Sequence, residues 1–424
     1  MNQIAEGYKN LVYSAINNYV CFINLKGLGK KKMEKNLLFK KGRDFLRRKK
    51  IYRKLENNLK KVFFRKKFLT RFNHNLKSFY LQKGLSSQPV SQFNDHLLID
   101  RLKAHYLICN ANFAGNKDSQ WSDHFNKLQG DIHSAFVESR QEVIVDILRN
   151  PANYNLFYGF ENMSRDLLQN KRLEDILEPE LAMDSLLSLC EAVGIIPFSN
   201  PESLRIGRAI DPETAVGLLD QEFGFTLDFP NPFAGEYGIK IKRGIISYRA
   251  IQAIYQAWKI ANITKDIPDP CILEIGGGLG RTAYYCRKFG INDYTIVDIP
   301  ISSLAQGNFL GRVLPEGDVT LMKEQVDPVV QKDTIKLIYP DVFFSSQKKY
   351  DLIVNVDSLT ELDIVIAKQY LEKISEAGTC FFSINHEINS FSINSIWKEV
   401  PTLKKLYRNL NWVRRGYVEE FFKK

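Results

Sequence analysis

Residues 271–286, CILEIGGGLGRTAYYC, place four glycines within five positions between an apolar run of strand character and a stretch of helical character. A glycine-rich turn at that junction commits the chain to an α/β unit in which a ligand meets the backbone. Only a residue without a Cβ enters left-handed turns freely and lets another molecule approach closely. Downstream, the runs CILEIGG, DYTIVDIP, TIKLIYPD, YDLIVNVD and GTCFFSINHE alternate with helical patterns. Strands alternating with helices imply a parallel sheet with right-handed crossovers, and such sheets take ligands beyond the carboxyl ends of their strands. Each run ends in a polar or glycine-rich group, so those ends can be read from the sequence.

The turn excludes two ligands. A phosphate-cradling P-loop needs a Lys followed by Ser or Thr after its glycines, whereas Arg281-Thr282 lacks both the lysine and the spacing. A dinucleotide fingerprint begun at Gly276 meets Gly278 but finds Arg281 where the third glycine belongs, against close helix packing under a pyrophosphate. What distinguishes the turn is the acid inside the strand, Glu274-x-Gly276-x-Gly278-x-Gly280, and a second acid, Asp298, at the end of the next strand.

That pattern resembles motif I and the following acidic position of class I S-adenosylmethionine (SAM)-dependent methyltransferases. The resemblance implies a Rossmann-like α/β domain with a mostly parallel seven-stranded sheet, and SAM as cofactor. SAM carries no phosphate, so Gly276, Gly278 and Gly280 serve close approach to the ribose and methionine portion and not an anion cradle. Asp298, with Ile299 beside it, is placed to accept bonds from the ribose hydroxyls, since a carboxylate offers two acceptor oxygens. Glu274 falls near the cofactor's ammonium or orients the turn, and Asp341, after LIYP, falls where this fold often places a group for the adenine.

A narrower resemblance covers roughly residues 222–390. GEYGI, RGIISYRAIQAIYQAW, LEIGGGLGRTAYYC, YTIVDIP, DLIVNVDSLTEL and SINHE together are similar to the sugar O-methyltransferases of bacterial surface-glycan clusters. This implies methylation of a hydroxyl on a sugar or surface-glycan intermediate, on the cytoplasmic side of the membrane.

Methyl transfer to such an acceptor requires the hydroxyl held in line with the S–CH3 bond and its proton removed as the oxygen attacks. The residues for that work belong at the ends of the fourth and fifth strands. Asn355, Asp357, Ser358 and Glu361 follow the fourth; Asn385, His386 and Glu387 follow the fifth. His386, the only histidine of the C-terminal part, is the expected base, with Asp357, Glu361 and Glu387 as its acidic company. The same oxygen and imidazole groups could collect a hard divalent cation such as Mg2+, which would lower the acceptor's pKa by coordination. Metal-free base catalysis ranks ahead of that reading.

Net charge divides the chain. Residues 1–80 carry 22 basic against 4 acidic residues, and the remaining 344 carry 37 against 44. Over residues 30–81 the basic residues interleave with apolar ones at helical spacing (Ile51, Leu55, Leu59, Val62; Phe68, Phe72, Leu76, Phe79). Such an arm suits an anionic membrane surface, where each Lys or Arg contributes about 1 kcal/mol. RNA ranks below it, because the aromatics follow a helical pattern and the body is acidic. Residues 11–25 fall short of the roughly 20 apolar residues of a spanning helix, and no secretory cleavage pattern follows them. The six cysteines are scattered without a CxxC pair, which supports neither a disulfide framework nor a zinc site. A protein of the cytoplasm, peripheral at the inner face of the cell membrane, is the resulting expectation.

Three parts follow: a basic amphipathic arm over 1–82, a mainly helical substrate or cap region over 83–235, and a methyltransferase domain over 236–424. KGLSSQPVSQ (83–92) reads as the linker between the first two, and FGFTLDFPNPFAGEYGIKIKRG (223–244) as an aromatic-rich loop between the last two.

Overall fold

A computed structural model describes residues 83–85, 95–113, 128–159, 161, 178–198, 210–324, 333–400 and 402–424. All lie in the second of the chain's two units, residues 62–424. The basic stretch 30–81, with the proposed membrane contact, lies outside the described residues. Among the described residues no helix is long and apolar enough to cross a membrane.

The N-terminal part contributes a short strand, β1 (Lys83–Leu85), and helices α1 (His96–Asn112), α2 (Gly130–Val137), α3 (Gln141–Arg149), α4 (Glu178–Ala192) and α5 (Pro212–Phe223). Two segments read from sequence as connection are partly strand. β2 (Tyr237–Ile241) lies inside the 223–244 region and forms a hairpin with β3 (Gly244–Ile246), which runs two residues past it, and β1, inside the 83–92 linker, adds to the hairpin's edge, Lys83 opposite Ile239. These strands are short and glycine-bearing, and β1 pairs with a segment about 150 residues away in sequence. No local pattern could announce that.

Helix α6 (Tyr248–Thr264) opens the C-terminal part, with Ser247 accepting the Ala250 N–H at its start. It leads into β4 (Ile272–Ile275), α7 (Arg281–Lys288), β5 (Tyr294–Val297), α8 (Pro300–Val313), β6 (Val319–Thr320), β7 (Ile335–Ile338) and α9 (Pro340–Ser345). Then come β8 (Tyr350–Val356), α10 (Ile364–Ala377), β9 (Gly378–His386), α11 (Ile393–Ile396) and the hairpin β10 (Lys404–Leu410) with β11 (Tyr417–Lys423). The sheet order is β10-β11-β9-β8-β4-β5-β7-β6. All pairings from β6 to β9 are parallel, and β11 runs antiparallel between β9 and β10. Where seven strands are expected there are eight, because the two-residue β6 adds an outer edge beside β7.

Strands β4, β5 and β7 are buried along their whole length, as continuous apolar runs covered on both faces must be. Alternate side chains feed two cores. Ile272, Leu352 and Phe382 enter one with α1, α3, α4, α6 and α8; Leu273, Ile353 and Phe381 enter the other with α10 and Trp397. The N-terminal helices therefore share a core with one face of the sheet. Polar ties reinforce that contact: His105 bonds the Ser303 hydroxyl at 2.8 Å, Arg149 and Arg312 both reach Asp95, and Arg101 pairs with Glu324.

Candidate functional site

The carboxyl ends of β4, β5, β7 and β8 surround a cavity of about 1000 Å3, at the top of the range of roughly 300–1,000 Å3 usual for small-molecule sites. Glu274, Gly276, Gly278, Asp298, Ile299 and Asp341 line it, and so do Asp357 and Glu361 from the other side.

The glycine turn is fixed by the protein before any ligand is considered. Gly276 lies at φ +74°, and a Cβ there would fall 2.2 Å from the Ser358 hydroxyl at the end of β8. Gly276 thus lets the two strand ends close on each other as well as letting a ligand approach. Gly280, at φ +85°, starts α7 and does not line the cavity.

Asp298 follows β5. One carboxylate oxygen accepts the Ile299 N–H at 2.9 Å; the other accepts Gln306 Nε2 at 2.7 Å, and that amide also donates to the Gly278 carbonyl at 3.1 Å. Gln306 ties the acid to the turn, two helical turns beyond it on α8. Burial pushes Asp298 up to about 7 against these donors. Glu274, buried and accepting the Tyr294 hydroxyl at 3.0 Å, is likewise pushed by burial to about 7, with the Asp298 charge adding to the rise. Asp341 stands in the first turn of α9 and lines the cavity beside Phe344 and Tyr370. At this end of the cavity the named charged residues, Glu274, Asp298 and Asp341, are all acids, which suits hydroxyl and amine donors better than a phosphate.

The opposite wall is built differently. Asp357 follows β8 in a left-handed conformation, φ +54°, uncommon for a residue with a Cβ and costing of order 1–3 kcal/mol. Its Oδ2 accepts the Tyr417 hydroxyl at 2.9 Å and Arg414 Nη2 at 2.8 Å, and the Arg414 guanidinium stacks on the Tyr417 ring at 3.6 Å. Its buried Oδ1 has no hydrogen bond and faces His386 Nε2 at 3.4 Å. His386 stands behind Asp357 and does not itself line the cavity. Asp357, Glu361 and His386 can each offer a ligand atom within 4.8 Å of the others.

Glu387 stands apart. It lies one residue past the end of β9 and makes two bonds to Arg408 on β10, at 3.0 and 2.6 Å. Those bonds, chiefly, hold its carboxyl below the ordinary value. Asn355 and Asn385 brace the strand ends: Asn355 donates to the Ile275 carbonyl at 2.9 Å and accepts from Asn385 at 2.9 Å.

Arg281 is the residue whose function was least visible in sequence. It is 5% exposed and donates to Glu161 at 2.7 Å and to Glu236 at 2.9 Å, themselves 4% and 3% exposed. Burial pushes Glu161 above the usual carboxylate range while Arg281 pulls the other way. The side chain in the third glycine's place joins the turn to two segments far from it in sequence.

The strand order, parallel but for an antiparallel hairpin at one end, is that of the Rossmann-like class I methyltransferase fold. Among solved structures the chain is similar to magnesium protoporphyrin IX methyltransferase from Synechocystis PCC 6803 with bound SAM (13% identity over 41% of this chain and 81% of that chain, TM-score 0.30). It is also similar to an N-methyltransferase from Bradyrhizobium japonicum WM9 in complex with S-adenosyl-L-homocysteine (14%, 42% and 85%, TM-score 0.29). The glycopeptide N-methyltransferase MtfA gives 13%, 40% and 89%, with a TM-score of 0.32. No family model and no curated protein matches the sequence.

Proposed function

We propose that the chain is a SAM-dependent O-methyltransferase acting on a hydroxyl of a sugar or surface-glycan intermediate. The observation that carries the reading is one cavity lined by both Asp298 with the glycine turn and Asp357 with Glu361. Asp298 would take the ribose hydroxyls and Asp341 would stand near the adenine. Glu274 orients the turn from below. SAM supplies a methyl already activated on sulfonium, so the chain's own work is to place the acceptor oxygen and take its proton.

Asp357 is suited to that removal. It lines the cavity, Arg414 and Tyr417 fix its carboxylate through Oδ2, and His386 Nε2 stands 3.4 Å from its Oδ1. His386 acts through Asp357, orienting it and offering a second site for the proton. Arg414 already sets a positive charge on Asp357, which a divalent cation would have to displace, so this reading needs no metal. Chelator treatment followed by added magnesium should leave turnover unchanged.

Membrane recruitment through 30–81, with the cytoplasmic face as the place of action, belongs to the same reading. Liposome flotation of the full chain and of a chain lacking 1–81 tests it; equal flotation on anionic vesicles would remove the arm's role. Calorimetric titration with SAM tests the enzyme class, and no heat of binding at sub-millimolar cofactor would sink it.

A further inference from the structure

Three arginines line the cavity, and two have their carboxylates inside the protein: Arg281 holds Glu161 and Glu236, and Arg414 holds Asp357. The third, Arg249, has neither. No hydrogen bond or ion pair joins its guanidinium to another described residue, and its Nε is shut away from solvent. The Tyr248 ring lies 5.1 Å from its guanidinium, and Tyr248, Glu161, Asp357 and the Tyr417 hydroxyl hold it charged against the cost of burial, though Glu161, Asp357 and Tyr417 are bonded elsewhere. A half-buried guanidinium whose enclosed Nε has no acceptor forfeits a charge-assisted bond that a partner would restore.

Its place on the chain adds a second oddity. Arg249 lies in the first turn of the 17-residue helix α6, where the helix dipole disfavours a cation by about 0.3–1 kcal/mol. The positive end of the helix at the same spot favours an anion. The charged neighbours around it include Asp357, the proposed proton acceptor, and not Asp298 at the nucleoside end. An anion on Arg249 would therefore stand beside Asp357, on the acceptor side of Asp298 in the cleft.

We infer that Arg249 is the carboxylate anchor of the acceptor subsite, and that the acceptor is an acidic sugar, a uronic acid, presenting its hydroxyl to Asp357. The planar guanidinium fork matches a carboxylate through two parallel bonds, which would set the sugar's orientation as well as its affinity. This rests on the methyltransferase reading above and narrows it from sugars in general to anionic ones.

The test compares the wild type with Arg249→Gln and Arg249→Lys, each first shown to unfold at the wild-type midpoint. S-adenosylhomocysteine (SAH) and 5′-methylthioadenosine are titrated calorimetrically, and D-glucuronate and D-glucose are followed by ligand-observed NMR on the SAH-loaded protein. SAH affinity should agree within about twofold across the three proteins. Glucuronate should bind the wild type, lose roughly ten- to a hundredfold in Arg249→Gln, and recover in part in Arg249→Lys. Glucose should be weaker and indifferent to the substitution. Equal glucuronate binding in wild type and Arg249→Gln, or none in the loaded wild type, would overturn the inference. So would a loss of SAH affinity in Arg249→Gln with methylthioadenosine unaffected, since that would put the cofactor's own carboxylate on Arg249. SAH failing to bind the wild type would sink the methyltransferase reading instead.

Discussion

Two aspartates stand at opposite ends of one cleft, each just past a parallel strand, and their surroundings make them different groups. Asp298 has neutral donors only, the Ile299 amide and Gln306, and burial drives it up to about 7. Asp357 has Arg414, a tyrosine hydroxyl and a histidine, in a strained backbone conformation. The first environment suits an acid that becomes fully charged when a ligand's hydroxyls arrive. The second holds a carboxylate in a fixed pose with one oxygen unbonded. Identical residue types at equivalent strand ends acquire separate tasks from what faces them.

The largest effect should fall at the second end. Asp357→Asn keeps the shape and removes the proton acceptor, so methyl transfer from labelled SAM should drop by roughly 10²- to 10⁴-fold. SAH affinity should change little, and His386→Gln should cost less turnover than Asp357→Asn. Comparable loss of SAH binding in Asp357→Asn would break the division of labour between the two ends.

Arg281→Ala addresses what joins the two halves of the cleft wall. It leaves Glu161 and Glu236 buried without their cation, and breaking a buried pair of this kind costs about 3–5 kcal/mol. Chemical denaturation should show it as a large fall in midpoint with little change in slope. A midpoint unmoved would mean that water, and not Arg281, satisfies those acids.

Asp298→Ala should weaken SAM about a hundredfold in calorimetry, the loss of two bonds to a charged acceptor at roughly 1.5–3 kcal/mol each less what the ribose regains from water. Unchanged affinity would remove the nucleoside from that end of the cleft.

The smallest effect is a pH slope. An acid raised to about 7 is neutral below that value and ionised above it, and the ionised form is the better acceptor for ribose hydroxyls. SAM affinity should therefore rise by about tenfold from pH 6 to pH 8, with protons released on binding, and level off above. Glu274, raised to a similar value, adds to the release. A flat profile, or buffer-independent binding heats, would show Asp298 already ionised in the free protein.

Much of the Asp298 end was legible in the sequence. Glu274, the glycines and Asp298 are set by strand, turn and strand within one local stretch, and their spacing alone discards the P-loop and the dinucleotide fingerprint. Gln306 escaped notice because nothing marks a helical glutamine as the partner of an acid eight positions before it. The far end was legible only in part. Asp357 and Glu361 could be placed at a strand end, but Arg414 and Tyr417 reach Asp357 from the final hairpin. Glu387 follows His386 in sequence but lies past the end of β9, where Arg408 of the final hairpin takes its carboxylate.

Arg281 makes the boundary plain. In sequence it is an absence, the third glycine missing from a fingerprint. In the folded chain it is the cation between Glu161 and Glu236. The sequence by itself determined the alternating α/β pattern, the turn and the acids beside it, because period and spacing are local properties of the chain. Tertiary structure alone decided which arginine meets which carboxylate, and which one meets none. Those pairings depend on distances across the sheet, and burial makes each of them count.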